Sequence, residues 1–418
     1  MGKRVLVVGA GAAGLIAAWS AAINGASVTI IDKMPSPGRK LLITGAGRCN
    51  LTNTNDIDTF IQKYFTNGRF LYPAFSGFFR DDLLDLLREV GLRFTTEPNG
   101  KIFPASDKAG DVLDGLIKLI NKQNVRIVLR QAVKDIVVND GRIIGVKTDA
   151  EFHKADAVIL AAGGASWPGT GSSGDGYRLA SAVGHCIKPI RPALVPLVID
   201  TKWLRDLKGI SLQHTEVQLI HNGRKSFSDH GELLFTHFGL SGPVILRLSR
   251  NLPDFSEAHE TERINDWKLK LDMAENISAA DLADTWYKAA KANPSRAIIN
   301  CLTDPFPSRL TEAMMQQYGI NRDTRAADIS LKKLEAMATG CKGLTLNIAG
   351  TRGYREAMVT AGGVSLKEVD PRSMLSRIVQ GLYFAGEVLD LDGDTGGYNL
   401  QAAFSTGVLA GLHAAADQ

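Results

Sequence analysis

The hydrophobic pattern of this chain changes period several times, and each change marks a different kind of element. Val5 to Val8 is an apolar run of strand length, Leu15 to Ala22 is Ala-rich with helical spacing, and Ala26 to Ile31 is a second strand. Residues 56–95 read as helical, with an apolar stripe from Asp81 to Val90 that Gly91 ends; Thr95 to Pro104 reads as a hairpin around Asn99-Gly100. An amphipathic helix is expected from Ala109 to Lys122, followed by strands at Val125–Leu129, Ala132–Val138, Arg142–Lys147 and Ala157–Leu160. From Pro189 to Pro253 short alternating strands take over. From 275 to 340 helical spacing returns, at Ser278–Ala292, Ser308–Tyr318 and Ile329–Thr339. The closing block restores the opening order: a strand from Arg377, a Gly-rich turn and a small-residue helix from Ala402 to Ala415.

The turn after the first strand carries the most chemical information. Gly9-Ala10-Gly11-Ala12-Ala13-Gly14 has the Gly-x-Gly-x-x-Gly spacing, placed between a strand and a helix. Gly9 permits a tight turn, Gly11 lets the backbone approach a pyrophosphate, and Gly14 lets helix and strand pack closely. The helix N-terminus favours negative charge there. The second strand ends in Asp32, 23 residues after Gly9, where a carboxylate can accept the hydroxyls of an adenosine ribose. Strand, turn, helix, strand and acid in this order predict dinucleotide binding; a plain βαβ unit with packing glycines is the competing reading.

A basic, Gly-studded segment follows, from Lys33 through Arg39, Lys40, Thr44, Gly45, Gly47, Arg48 and Cys49 to Asn50. Its cations suit phosphates or the electron-rich edge of a reduced flavin. The strand Ala157–Leu160 runs into Ala161-Ala162-Gly163-Gly164, and a polar loop from Ala165 to Tyr177 reads as a lid or as an inert surface loop, before a helix from Arg178 to Val183. The closing strand delivers Gly386-Glu387, and Gly397-Tyr398-Asn399-Leu400-Gln401 precedes its helix. A terminal Gly-acid pair serves ribityl hydroxyls, and a helix N-terminus stabilises charge on a flavin pyrimidine, so FAD rather than NAD is the expected tightly bound nucleotide. Candidate cofactor contacts are Gly9 to Gly14, Asp32, Lys33, Arg39, Lys40, Thr44, Gly45, Gly47, Arg48, Asn50, Val133, Ala161, Ala162, Gly163, Gly386, Glu387 and Gly397 to Gln401.

Composition adds bounds. Of 418 residues, 44% are hydrophobic and 22% charged, and the net charge of +4 neither requires nor excludes a nucleic-acid partner. Cys49, Cys186, Cys301 and Cys341 lie far apart with no metal-ligand or redox Cys-x-x-Cys spacing, so they read as reduced thiols and no metal is expected. The chain opens directly into a strand without a signal-peptide pattern, and no apolar run reaches the roughly 18 residues of a membrane span. A cytoplasmic protein is expected.

These segments together resemble the BaiN/RdsA-type family of NAD(P)/FAD-dependent oxidoreductases. The matching stretches are Val8–Gly14, Gly38–Asn53, Leu234–Pro243, Thr360–Val364 and Gly386–Gln401, in order along the whole chain. The resemblance implies an α/β fold: a discontinuous Rossmann-like FAD-binding domain of glutathione-reductase type (1–190 and 356–418). Into it are inserted a β-barrel-like domain (191–274 and 341–355) and a small helical domain (275–340). It also implies reduction of activated C=C bonds, in enone-like small molecules or in uracil of ribosomal RNA.

Such a reduction delivers hydride to one carbon and a proton to the next, so an acid is needed. Cys49 and His237 are the titratable candidates in the signature stretches; the competing readings are a packing thiol and a structural imidazole. No second nucleotide fingerprint occurs in 150–370, so NAD(P)H is expected as a transient donor at most. Alternatives are an oxidase or dehydrogenase with another electron acceptor, and an RNA-binding flavoprotein without turnover.

Overall fold

The computed structural model describes residues 2–253, 264–302 and 304–416. It divides into two units, Met1–Ala193 with Ala357–Gln418, and Leu194–Glu356.

The first unit is built on a parallel five-stranded sheet, in the order Leu382–Phe384, Ala157–Leu160, Arg4–Val8, Ser27–Ile31, Arg126–Val128. Its central strands are apolar on both faces, as sheets covered by helices on each side must be. Helices Ala12–Ile23 and Tyr398–Ala415 pack on this sheet, and their small residues let them approach closely. A Cβ at Gly407 would stand 2.6 Å from the Ala13 carbonyl oxygen, and one at Gly411 2.3 Å from that of Ala17. Ser20 Oγ ties the pair by donating to Val408 O at 2.7 Å.

Ala109–Lys122 is a helix with the expected bounds. The 56–95 region is broken into α-helices Ile57–Gln62, Tyr72–Gly77 and Arg80–Arg88, with a 3-10 turn at Gly68–Leu71 between the first two, extended backbone at Phe78 and Phe79 between the last two, and a strand from Phe94 at its end. The helix after the Ala165–Tyr177 loop begins early, at Asp175. The closing helix begins at Tyr398, four residues before the expected start, where Gly397 takes φ +95° as its cap. A terminal turn thus becomes a helix N-terminus.

The second unit is a closed six-stranded barrel, Leu197–Ile199, Gly239–Ser241, Arg224–Phe235, Ser211–His221, Trp267–Asp272 and Leu344–Thr351. Helices Ala279–Ala292, Ser308–Gln317 and Leu331–Cys341 share one buried cluster with it. Ser278 caps the first of these, its side chain accepting from Asp281 N at 3.0 Å.

Candidate active site

The register of the parallel sheet places the chemistry. Val8 lies beside Leu160 and Ile31, Leu160 beside Phe384, and Ile31 beside Val128, so five strands release the chain at one edge. In open α/β sheets this carboxyl edge is where ligands bind. Along it lies an open cavity with about 1470 Å³ of empty space, lined wholly by the first unit. Gly9, Ala10, Gly11, Ala12, Ala13, Asp32, Lys33, Arg39, Lys40, Thr44, Val133, Ala161, Ala162, Gly163, Gly386, Glu387, Asn399 and Leu400 all line it.

The three glycines of the first turn play different parts. Gly9 has φ +107°, and a Cβ there would strike Ala161 O at 2.5 Å. A Cβ on Gly14 would stand 1.9 Å from Gly9 O, so this glycine packs the helix against its own turn and does not line the cavity. A Cβ on Gly11 would meet nothing within 4 Å. Gly11 caps helix Ala12–Ile23, which has no acid in its first turn, and so presents bare N–H groups and a positive dipole end to the cavity. Asn399, Leu400, Ala402 and Ala403 bring the first turns of the closing helix to the same cavity.

Charged groups along the cavity differ in how far they are already committed. Asp32 accepts from Ala10 N at 2.6 Å and from Met34 N at 2.7 Å, which fixes the carboxylate but leaves further lone pairs free. Lys33 pairs with Asp175. Burial acts most strongly, to raise the Asp175 carboxyl, but Lys33, Ser173 and Arg178 together outweigh it and hold the group below its usual range. Lys40 Nζ lies 2.5 Å from Glu387 Oε2 and 2.8 Å from Ser166 Oγ. The other Glu387 oxygen accepts from Ser166 Oγ at 2.7 Å and Thr360 N at 2.9 Å. The pair is only 22% and 19% exposed, so Lys40 is neutralised within the protein rather than held as a free cation. Arg39 is the less committed cation: it donates to Gly169 O at 3.5 Å, and its buried Nε has no partner among the described residues.

Other expected positions stand outside the cavity lining. Arg48 stacks on Phe103 at 4.0 Å and pairs with Glu97 and Asp107 at 2.9 and 2.8 Å, so its charge is spent there rather than on a phosphate. Cys49 is fully buried, and burial pushes its thiol up to about 12. Gly45, Gly47, Asn50, Gly397, Tyr398 and Gln401 also do not line it. Several of them knit two distant segments together. A Cβ on Gly397 would sit 2.5 Å from Thr52 O, Asn53 Nδ2 donates to Gly396 O at 3.1 Å, and Asn55 Nδ2 donates to the Tyr398 hydroxyl at 2.8 Å. His237 belongs to the barrel unit, exposed on the turn between Arg224–Phe235 and Gly239–Ser241, with its ring edge-on to Phe238 at 4.9 Å.

Sequence reasoning missed Met34, Ser36, Gln131, Ser172, Asp175, Thr406, Met358 and Val359 as lining residues. Gln131 had a signal: it stands two positions before Val133, after a strand that extends the same sheet. Thr406 had none, since its hydroxyl reaches the site through Gly386 N at 3.0 Å, a contact between segments twenty residues apart.

Sheet, glycine turn and cavity define a Rossmann-type nucleotide-binding domain. The chain belongs to the family described as HI0933-like protein Rossmann domain, whose model matches residues 3–413. It is 32% identical to the 3-dehydro-bile acid delta(4,6)-reductase of Clostridium scindens, over 99% of each chain. It is also 32% identical to the ribosomal RNA dihydrouridine synthase of Escherichia coli, over 96% of this chain and 95% of that protein. Among solved structures, the 3-ketosteroid-delta4-(5alpha)-dehydrogenase of Rhodococcus jostii shares the fold. Its TM-score is 0.53 at 16% identity, covering 99% of this chain and 97% of that one.

Proposed function

We propose that this protein is an FAD-dependent reductase of an activated C=C bond, driven by NAD(P)H. The observation that carries the proposal is the open space at Gly11, set at the N-terminus of a helix and in line with the carboxyl edge of the parallel sheet. A dinucleotide fits what this cavity offers. Gly11 and the N–H groups of Ala12 and Ala13 would hold the pyrophosphate, with Arg39 as counter-ion and Asp32 on the adenosine ribose. Gly386 and the N-terminus of helix Tyr398–Ala415 would hold the flavin end. Two relatives at 32% identity, a bile-acid reductase and a dihydrouridine synthase, both bear names of double-bond reduction, which supports that reaction class.

Bound FAD supplies a two-electron carrier between a nicotinamide and an electron-poor carbon. The balanced reaction takes C=C, NAD(P)H and one proton to CH–CH and NAD(P)⁺. The protein's part is to hold the cofactor, neutralise Glu387 with Lys40, and deliver the proton. Cys49 is a poor donor, because its thiol is buried and its proton tightly held. His237, exposed on its turn in the barrel unit, is the remaining titratable candidate for that acid. Enone-like small molecules and uracil in ribosomal RNA are the two substrate classes. Four free thiols suit a cytoplasmic setting, and among the described residues no helix is long and apolar enough to cross a membrane.

The test is anaerobic. Purified protein with a visible flavin band should bleach on addition of NADPH or NADH, then regain colour with an enone or a uracil-containing RNA. A yellow protein that neither nucleotide reduces would overturn the donor assignment. A colourless protein that takes up no added FAD would overturn the whole reading.

A further inference from the structure

We infer that Gln131 is a specificity residue for the adenosine end of the cofactor, an inference that rests on FAD occupying the cavity. Gln131 follows strand Arg126–Val128 at the carboxyl edge of the sheet and lines the cavity beside Asp32. Two backbone bonds fix its place: Gln131 N donates to Asp32 O at 3.1 Å, and Arg130 N donates to Met34 O at 3.1 Å. Arg130 takes φ +58°, the left-handed turn that folds this loop onto the end of the Ser27–Ile31 strand. The amide oxygen Oε1 is buried and has no hydrogen-bond partner among the described residues.

An orphaned acceptor at this depth costs free energy unless a ligand donates to it. Its neighbour Asp32 already accepts two backbone N–H groups, so the two residues offer different things. Asp32 presents charge and spare lone pairs. Gln131 presents a neutral amide whose buried oxygen is matched to a neutral donor. Adenosine carries two kinds of such donor, the exocyclic amine of the base and the ribose hydroxyls. Guanine and hypoxanthine, by contrast, carry an oxo group at the amine's position, so the buried oxygen would lose its donor unless the amide turned over.

The experiment is displacement of FAD from the wild-type holoprotein by ADP, inosine diphosphate and 2′-deoxy-ADP, read by recovery of flavin fluorescence, and repeated with Gln131→Met. Loss of one neutral hydrogen bond to a buried acceptor corresponds to about tenfold in affinity. If the base amine is the donor, inosine diphosphate binds about tenfold more weakly than ADP, and Gln131→Met erases the difference. If a ribose hydroxyl is the donor, 2′-deoxy-ADP shows that loss and inosine diphosphate does not, again only with Gln131 present. A variant that keeps the wild-type ranking among the three nucleotides, with or without a uniform loss, would overturn the inference while leaving FAD binding intact. Wild-type protein that holds no FAD would instead overturn the function proposed above.

Discussion

Replacing Gly11 by Ala separates the proposed phosphate cradle from the fold that builds it. Gly11 sits at φ −82° and ψ −173°, extended backbone that Ala adopts freely, and its Cβ would touch no protein atom within 4 Å. Restricting the unfolded chain favours folding by about 0.4–1 kcal/mol. Ala is a poorer helix cap than Gly by roughly the same amount. The flavin-free variant should therefore unfold within about 0.5 kcal/mol of wild type. The pyrophosphate, however, would have to share its space with a methyl group. Such overpacking costs about 1–3 kcal/mol, or roughly 5- to 150-fold in the FAD dissociation constant. Gly14→Ala is the converse control. Its Cβ would lie 1.9 Å from Gly9 O and 3.3 Å from Val7 Cγ1, so the helix must back away from the turn, at about 1–3 kcal/mol of stability or more. Urea unfolding of the stripped proteins and FAD titration by fluorescence quenching read the two effects apart. Gly11→Ala binding FAD as tightly as wild type would refute the cradle.

Three further outcomes are expected. Lys40→Met strips Glu387 of its counter-ion but leaves the Ser166 and Thr360 donors, so it should cost about 1–3 kcal/mol. Adding Glu387→Gln should cost less than the sum of the single changes, and strict additivity in urea unfolding would deny the coupling. If His237 supplies the proton, His237→Ala should lower turnover by about 10²–10⁴ with anaerobic flavin reduction by the nicotinamide unchanged, whereas Cys49→Ala should stay within about threefold. Stopped-flow traces with the reverse ranking would move the proton to Cys49. Arg4 beside Asp156 holds its carboxyl down to about 2, well below the ordinary carboxylate range, so the pair's stabilisation is present above pH 4 and is lost as pH falls toward 2. Because Asp156 is 40% exposed, the effect is at most about 1 kcal/mol. Asp156→Asn should flatten that acid limb in thermal melts, and an unchanged limb would assign it elsewhere.

The nucleotide turn was legible because its meaning is local. Gly9, Gly11 and Gly14 are spaced by the geometry of one strand, one turn and one helix, and Asp32 ends the adjoining strand. Charge was less legible. Arg39, Lys40 and Arg48 look alike in sequence, yet Arg48 is spent on Glu97, Asp107 and Phe103, Lys40 on Glu387, and only Arg39 keeps a buried donor without a partner. The partners come from 49 to 347 residues away, and no local pattern encodes such a choice. Gly397 and Tyr398, expected as cofactor contacts, have long-range partners of the same kind. Together with Gly396 they receive Thr52, Asn53 and Asn55 at close range.

The sequence by itself determined the nucleotide turn with its flanking strands and helix, and the strand alternation of the inserted segment, since each rests on period and backbone conformation within a few residues. Tertiary structure alone decided which strand ends share an edge, which cations stay available, that Cys49 is sealed in a core and that Gln131 faces a cavity. Those properties depend on burial and on partners that only chain closure brings together.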